Sequence, residues 1–544
     1  MARADGNTHA GSNHPDYVRP DGAEASDVVS ARYQEALGYV VSSRTHTEYT
    51  RRRLETGIAK PSIFSGLPRI LSLPGCFGAD LMHLLTLNLT DLMISHFRGT
   101  MPCDPTDDRD NWPWAALKSP AVWHAHGKLV QDATLYLPGS FDRPPRNPAE
   151  KISSGYKAWE FQTYFFGFLP GFLWGVLAAP YYLHFCKLVY GVLIMIQHSI
   201  PFSQIRSADH ALLEFVTDYE RLYYARRLDR LHFVRQSIHA LIHIAPEALR
   251  LGPGSLYTQW TLENYIGNIT REIKQHVTPY TNVSERALRR TRINALQAMI
   301  PAFATDESPP LSSIDLHDGY RLLRARDRGM FTLTARAEQH ALRTFLIAHN
   351  IPIDPGYQPS VQRWARLHLP NGQNTRSLWK EGPTEARGGN CRRARMVKVR
   401  NSFIQVHHMV IYTCCVHKLT NNRFAEVQYY FLFQMPTGLR VFAMVSYFSE
   451  PDPDILDASY HVLLVCRYAG HLSRAVIDVK MIAAAVAMVP LPLSEAEAQD
   501  AGSAEHYATR FFVVEKPGLA VAVMGGFAER MDGLEDDDVD NEDE

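Results

Sequence analysis

Apolar and polar positions change their period along the chain, and the change predicts two kinds of structure. Between residues 61 and about 300, apolar side chains recur every three or four positions, most regularly over 207–243, which predicts mainly helices. From about 396 to 525, short β-branched and aromatic runs such as 424–433 and 439–448 are separated by Pro, Gly and Asp. This second pattern is typical of antiparallel strands. The sequence therefore predicts an α+β fold, in which a mainly helical N-terminal region precedes a small antiparallel β barrel or sandwich.

The same patterns divide the chain into five parts with different properties. A polar beginning predicts partial disorder with a short helical stretch, a Pro- and Gly-rich middle predicts a connector, and an acidic end predicts a solvated tail. The predicted parts are a partly disordered segment (1–60), a helical region (61–300), a connector (301–395), a separate β domain (396–525) and a disordered acidic tail (526–544).

One apolar run raises the question of a membrane span. Residues 161–183 contain no charged side chain, and 23 residues are enough to cross a bilayer. Pro170, Pro180 and three glycines would break a single helix into pieces. We therefore predict short helices and turns in a buried core, and no membrane as a partner.

The charge and the cysteine content of the chain indicate its cellular compartment but say little about its function. The formal net charge of −1 gives no global nucleic-acid signature. Local basic runs at 286–292, 321–328 and 387–400 are candidates for contacts with phosphate, although a solvated linker explains the last of them equally well. Seven cysteines without a Cys-x-x-Cys motif indicate a reducing compartment rather than a disulfide framework.

Two short motifs have the spacing of metal ligands. His239 and His243 would project from one face of a helix, one turn apart, and Asp80 and His83 form a similar pair much earlier in the chain. Two near ligands combined with two distant ones is how a structural zinc ion ties remote segments together. The alternative is that such spacings arise by chance among 24 histidines.

The order of these motifs resembles the later half of the Tnp2-type transposases of CACTA DNA transposons, in the form found in mushroom-forming fungi. The resemblance covers residues from about 10 to 525. It rests on 64–83, which ends in Asp-Leu-Met-His, on 219–224, on the histidine pair and on Gln-Trp-Thr-Leu-Glu at 259–263. The β-rich zone, which ends in the run 511–518, is similar to the extra domain that follows the transposase core in such proteins.

The resemblance implies an RNase H-like core that cuts and joins DNA with two Mg²⁺ ions held by three carboxylates. Glu263 would be the third of these carboxylates. Asp80, His83, His239 and His243 would hold a structural zinc ion in a helical insertion of that core. The implied partners are transposon-end DNA and full-length transposase, and the implied compartment is the nucleus.

The chain also departs from the pattern of these transposases. The first two carboxylates should precede the Asp-Leu-Met-His motif, yet fewer than 80 residues precede Asp80. We therefore expect an incomplete core that lacks its N-terminal half and is inactive alone. Glu272 is a rival to Glu263, although it lacks the preceding tryptophan. The alternative function is a non-enzymatic, chromatin-associated nuclear protein that uses the C-terminal β domain.

Overall fold

The computed structural model describes most of residues 22–518, with side chains from residue 30 onward except 495–496. Within that span, the residues outside the description are 66–72, 74, 142, 274–276, 301–302, 304–312, 353–355, 357, 388–392, 401–421, 437 and 500–506. The predicted acidic tail and residues 1–21 of the predicted disordered segment also lie outside the described residues.

The helices and strands follow the order that the sequence pattern indicates, helices first. The α-helices are α1 (Gly22–Val41), α2 (His46–Thr56), α3 (Thr90–Phe97), α4 (Pro120–Ala133), α5 (Pro148–Lys151), α6 (Ala158–Phe161), α7 (Leu169–Phe172), α8 (Ala179–Met195), α9 (Phe202–Tyr219), α10 (Gln236–Leu251), α11 (Trp260–Glu272), α12 (Pro279–Met299), α13 (Arg336–Ala348), α14 (Leu378–Ala386), α15 (Pro453–Ala458) and α16 (Glu495–Gln499). Three π-helical segments are Met82–Leu89, Gln162–Phe168 and Glu220–Tyr224.

The strands begin only after residue 313 in the described part of the chain. They are β1 (Ile314–Asp315), β2 (Arg321–Arg326), β3 (Phe331–Thr332), β4 (Ser360–Val361), β5 (Arg363–His368), β6 (Asn374–Thr375), β7 (Met396–Arg400), β8 (Asn422–Met435), β9 (Gly438–Tyr447), β10 (Val465–Arg467), β11 (Arg474–Asp478), β12 (Ile482–Pro490) and β13 (Arg510–Glu515).

The chain folds as two compact units, each built from separate stretches. The helical unit contains the described residues within 1–96, 100–113 and 187–258, and the sheet unit contains those within 97–99, 114–186 and 259–544. This division differs from the predicted one, because residues 114–186 belong with the sheet rather than with the other helices.

α10 illustrates why the helical unit forms where the sequence indicates. Its buried side chains include Ile238, Leu241, Ile242 and Ala245, which are spaced to form one apolar stripe along a helix. The helix ends at Gly252, whose φ of 87° is the left-handed region that favours glycine. In this way the sequence determines both the buried face of α10 and its end.

The sheet unit contains an antiparallel sheet in which β8 is the longest strand. The strand order is β1-β2-β5-β8-β7-β12-β13-β10, and β9 pairs with both β8 and β11. Every strand pair in the described residues is antiparallel. Strands β8 and β9 cover 424–433 and 439–447 of the two predicted runs, so the predicted strand period is confirmed there.

Residues 301–395 are not a connector, contrary to the prediction from Pro and Gly content. They supply β1 to β6, α13 and α14, and most of these strands belong to the large sheet. β2 has the sequence Arg-Leu-Leu-Arg-Ala-Arg, whose arginines hide its two buried leucines from a search for apolar runs. The β region therefore begins near residue 314, not near 396.

The predicted β domain is also not separate from the helical segments that precede it. A Cβ atom on Gly171 of α7 would lie 2.6 Å from the Phe512 ring of β13, and one on Gly167 would lie 2.9 Å from Val514. The absence of side chains at these glycines lets the two segments approach closely. The prediction of few contacts with the helical zone is therefore wrong for residues 161–172.

The apolar run at 161–183 is buried over most of 161–173, as the sequence predicts, whereas residues 175, 176, 178–180 and 183 are exposed. It forms α6, the π-helical segment Gln162–Phe168, α7 and the start of α8, and Phe165, Phe168 and Leu173 have no exposed surface. Among the described helices, none has the length and apolar content needed to cross a membrane.

Candidate metal-binding region and candidate catalytic carboxylate

Asp80 lies just before the π-helical segment Met82–Leu89 and caps its start. Its carboxylate accepts hydrogen bonds from the backbone N–H groups of Met82 and His83, each at 3.2 Å. The same carboxylate contacts Nδ1 of the His83 ring. The spacing of the Asp-Leu-Met-His motif therefore produces a local carboxylate–imidazole pair, as a capping aspartate at such a position would.

His239 and His243 form the second pair, on α10. Their Nε2 atoms lie 2.9 Å apart and the ring centroids lie 4.8 Å apart. His239 is buried and His243 is half-buried. In the absence of an ion, one Nε2 must donate a proton and the other must accept it. Two zinc-bound nitrogens in a tetrahedral shell would lie about 3.3 Å apart, so a small ring movement would suit both arrangements.

Hydrogen bonds between remote segments tie the two motifs to the same part of the helical unit. The backbone N–H of Ala79 donates to Glu247 Oε2 at 2.5 Å, and Glu247 lies one helical turn after His243 on α10. Thr258 Oγ1 donates to Asp80 Oδ1 at 3.2 Å. Burial raises the pKa of Glu247. The segment before Asp80 is therefore anchored to the helix that carries the histidine pair.

The four predicted ligands are arranged as two pairs. Within the described residues, no group of three or more His, Cys, Asp or Glu side chains is arranged to hold a metal ion. The donor set of one carboxylate and three imidazoles still matches the ligand types that zinc prefers. The zinc site on Asp80, His83, His239 and His243 stays a prediction.

Glu263 lies in the first turn of α11, as predicted, and its side chain is exposed. The helix begins at Trp260, whose ring stacks on Trp159 with centroids 3.9 Å apart. Its rival Glu272 is paired with Arg290 and lies 3.8 Å from Arg286, both on α12. Because Glu272 is already paired with arginines of α12, Glu263 remains the better candidate for a catalytic carboxylate.

The basic runs differ in what their side chains contact. In the run at 387–400, Arg395 and Lys398 are buried and paired with Glu426 at 2.7 Å and Glu515 at 3.0 Å. These two side chains are not available to phosphate, and residues 396–400 of the run form β7 rather than a linker. Arg289 and Arg292 on α12 are exposed and remain candidates for contact with a polyanion.

Sequence reasoning missed a buried cluster around Arg395. Its guanidinium donates to Glu426, to Glu381 at 3.2 Å and to Glu385 at 2.8 Å. Burial raises the pKa of Glu381. The spacing of Glu381 and Glu385 by four residues is a weak signal of a shared helix face. The convergence of α14, β7 and β8 cannot be read from the sequence.

A second buried cluster lies in the helical unit around Asp107. The carboxylate accepts two hydrogen bonds of 2.8 Å from Arg230 and one of 3.0 Å from Trp112 Nε1, and Arg227 lies 3.1 Å away. The hydrogen bonds from Arg230 are the main cause that lowers the pKa of Asp107 to about 2. Both carboxylate oxygens of Asp107 already accept hydrogen bonds from protein groups, so we assign this cluster to the stability of the unit.

No protein-family model, curated protein or solved structure matches this chain. The resemblance to Tnp2-type transposases therefore rests on the motifs and their order.

Proposed function

We propose that this chain is a transposon-derived, Tnp2-like protein that acts in DNA transposition in the nucleus. In this proposal it binds transposon-end DNA or a complete transposase and does not cut DNA by itself. The observation that carries the proposal is the hydrogen bond between Ala79 and Glu247, which joins segments 168 residues apart. It anchors the Asp-Leu-Met-His motif to the helix of His239 and His243, as expected if both motifs serve one structural ion.

A zinc ion would be structural in this arrangement. Asp80, His83, His239 and His243 would hold it as ionised or neutral donors, so binding would release protons and weaken as the pH falls. The ion would take the place of the proton now shared between the two Nε2 atoms. Its effect would be to fasten α10 to the segment before Met82–Leu89, in the way that zinc stabilises small helical insertions.

The proposed lack of DNA cleavage follows from the chemistry of a two-metal site. Such a site needs carboxylates that converge on two ions 3.5–4 Å apart, and one glutamate cannot hold both. Glu263 is an exposed side chain on α11. In a complete RNase H-like core it would be one of three ligands to Mg²⁺, and binding to such a core would be the remaining role for this chain.

The zinc content of the purified protein tests whether the two motifs hold one structural ion. We expect one zinc per chain by elemental mass spectrometry, lost in His243→Ala and retained in the matched variant His210→Ala, whose histidine is exposed on α9. Absence of stoichiometric zinc from protein purified without chelators would contradict the zinc part of the proposal.

DNA binding tests the functional part separately. We expect the full chain to bind CACTA-end DNA with an affinity that falls steeply with salt, and the double variant Arg289→Ala/Arg292→Ala to have a salt slope smaller by about 2. No cleavage or strand transfer is expected with Mg²⁺ or Mn²⁺. Strand transfer that Glu263→Ala abolishes would show that the chain is a complete enzyme.

A further inference from the structure

The two carboxylate oxygens of Asp80 have different partners. Oδ1 accepts hydrogen bonds from the backbone N–H of Met82 and from the Thr258 hydroxyl, each at 3.2 Å. Oδ2 accepts a hydrogen bond from the backbone N–H of His83 and contacts Nδ1 of the same residue. The oxygen beside the imidazole is therefore Oδ2, while Oδ1 is held by a side chain that lies 178 residues further along the chain.

Thr258 is brought to this carboxylate by a close approach of two segments. Its side chain is buried. A Cβ atom on Gly78 would lie 2.5 Å from the Tyr257 ring, and a Cβ atom on Gly254 would lie 2.4 Å from Leu81. Such distances are shorter than carbon atoms allow, so the packing depends on the absence of side chains at both glycines. The segment that carries the aspartate therefore packs tightly on the segment that carries Thr258.

Glu247 provides a second hold on the segment before Asp80. Its Oε2 atom accepts a hydrogen bond of 2.5 Å from the backbone N–H of Ala79. Glu247 lies on α10, four residues after His243 and eight after His239, so the three side chains are on one side of that helix. The hydrogen bond therefore connects the backbone next to Asp80 with the side of α10 that carries the histidine pair.

We infer that Thr258 and Glu247 are positioning residues of the proposed zinc site. Thr258 holds Oδ1 of Asp80, which leaves Oδ2 as the oxygen that faces the imidazole and would bind the ion. Glu247 fixes the backbone from which the Asp80 side chain projects. Groups that hydrogen-bond to metal ligands set their orientation, and the loss of one typically lowers metal affinity about 10–100-fold. The inference rests on the proposed function, because it takes Asp80 as a zinc ligand.

A purely structural role for these contacts predicts a different set of measurements. If the two side chains only stabilise the helical unit, their removal lowers the Tm of the metal-free protein and leaves the zinc affinity of the folded protein unchanged. If they position Asp80, zinc affinity falls in a variant that is still folded. The visible absorption of bound Co²⁺ should then change as well, because it depends on the geometry of the ligands.

Variants of Thr258 test the first contact, in the full chain after a chelator has removed bound metal. We expect Thr258→Val to lower the zinc affinity about 10-fold or more, measured by competition with a chromophoric chelator. Thr258→Ser keeps the hydroxyl donor and should bind zinc within about 3-fold of the unaltered chain. The matched control is Thr217→Val, which removes a hydroxyl that donates within α9 to Leu213 and should leave zinc affinity unchanged. Thr258→Ala replaces the valine variant if circular dichroism shows that the latter does not fold.

Variants of Glu247 test the second contact in the same assay. Glu247→Met keeps the length of the side chain but has no carboxylate to accept the hydrogen bond from Ala79. We expect it to lower zinc affinity about 10-fold and to alter the Co²⁺ spectrum. Glu247→Gln keeps an acceptor oxygen and should bind zinc within about 3-fold of the unaltered chain.

The results separate this inference from the proposed zinc site itself. If the unaltered chain binds zinc and both Thr258→Val and Glu247→Met bind it equally well, the inference is overturned while the zinc site is retained. An equal loss in Thr258→Val and Thr258→Ser would overturn the role of the Thr258 hydroxyl, and an equal loss in Glu247→Met and Glu247→Gln would overturn that of Glu247. If the unaltered chain binds no zinc, the inference and the zinc part of the proposed function are both overturned.

Discussion

Each compact unit contains a buried charged cluster, and the two clusters described above have centres of opposite sign. In the helical unit the centre is a carboxylate, Asp107, which is surrounded by Arg230, Arg227 and Trp112. In the sheet unit the centre is a guanidinium, Arg395, which donates to three glutamates. A carboxylate can take up a proton in acid, whereas an arginine in a protein keeps its charge. Acid can therefore protonate the central group of the Asp107 cluster, whereas in the Arg395 cluster it can protonate only the surrounding glutamates.

The largest expected effect comes from removing the positive centre. Arg395→Met leaves Glu381, Glu385 and Glu426 close together in a buried place, so we expect a loss of about 3–5 kcal/mol in the free energy of unfolding. Chemical denaturation measures this loss. Arg400→Met is the matched control, because Arg400 is exposed at the end of β7, the strand that directly follows Arg395. A loss below about 1 kcal/mol would mean that Arg395 is not the centre of the cluster.

Removing a partner of the negative centre should cost less. Arg230→Met leaves Asp107 with Trp112 and with Arg227, so we expect a loss of about 2–3 kcal/mol in the free energy of unfolding. The remaining cation is the reason for the smaller effect. If Arg230→Met destabilises the chain more than Arg395→Met does, the comparison between the two clusters is wrong in its order.

Acid should act in opposite directions on Asp107 and on Glu381. The pKa of Asp107 is lowered to about 2, so its contribution of about 2 kcal/mol is present above about pH 4 and is lost as the pH falls toward 2. The pKa of Glu381 is raised by burial, so the folded state takes up a proton first and gains stability as the pH falls through that range toward 4.5. In the relevant pH range, Asp107 binds more protons in the unfolded state and Glu381 binds more in the folded state, which gives the two opposite signs.

Pepsin cleavage at pH 2 to 4.5, mapped by mass spectrometry, compares the chain with its Asp107→Asn variant. In the unaltered chain, peptides from 100–113 and 187–258 should appear earlier as the pH falls below about 4, because the contribution of Asp107 is lost there. Peptides from the sheet are no reference, since the hydrogen bonds from Arg510 lower the pKa of Glu497 to about 2 as well. Asp107→Asn should remove most of this dependence, and an equal pH dependence in both proteins would contradict the assignment to Asp107.

The smallest expected effect tests burial alone. Glu272 has two arginine partners, as Asp107 does, but its side chain is 33% exposed while that of Asp107 is 2% exposed. Exposed pairs contribute little because water screens them, so Glu272→Gln should change the free energy of unfolding by less than about 1 kcal/mol. A loss as large as that of Arg230→Met would mean that the arrangement of charges matters more than burial.

What could be predicted from the sequence depended on how local each feature is. The helix of His239 and His243, the start of α11 near Glu263 and strands β8 and β9 all follow from a period within one segment. The pairing of Asp80 with His83 is also local, because an aspartate that caps a helical segment lies next to the side chain three residues later.

Features formed by several segments could not be predicted. Arg395 lies in a run of basic residues that is typical of a surface, and its three glutamates come from two other elements. β2 could not be predicted because its three arginines conceal its two leucines, and pairing with β5 and β1 is what makes it a strand. Tertiary contacts, rather than local preference, determine both outcomes.

The close contact of Gly171 with Phe512 has a consequence for the biosynthesis of the chain. Phe512 is made about 340 residues after Gly171, which at 5–20 residues per second means a delay of roughly 17–70 s on the ribosome. During that time the apolar side chains around α7 have no β13 to cover them. Nascent chains of this protein should therefore depend on chaperones until β13 has been made, and an insertion between the two segments would lengthen that dependence.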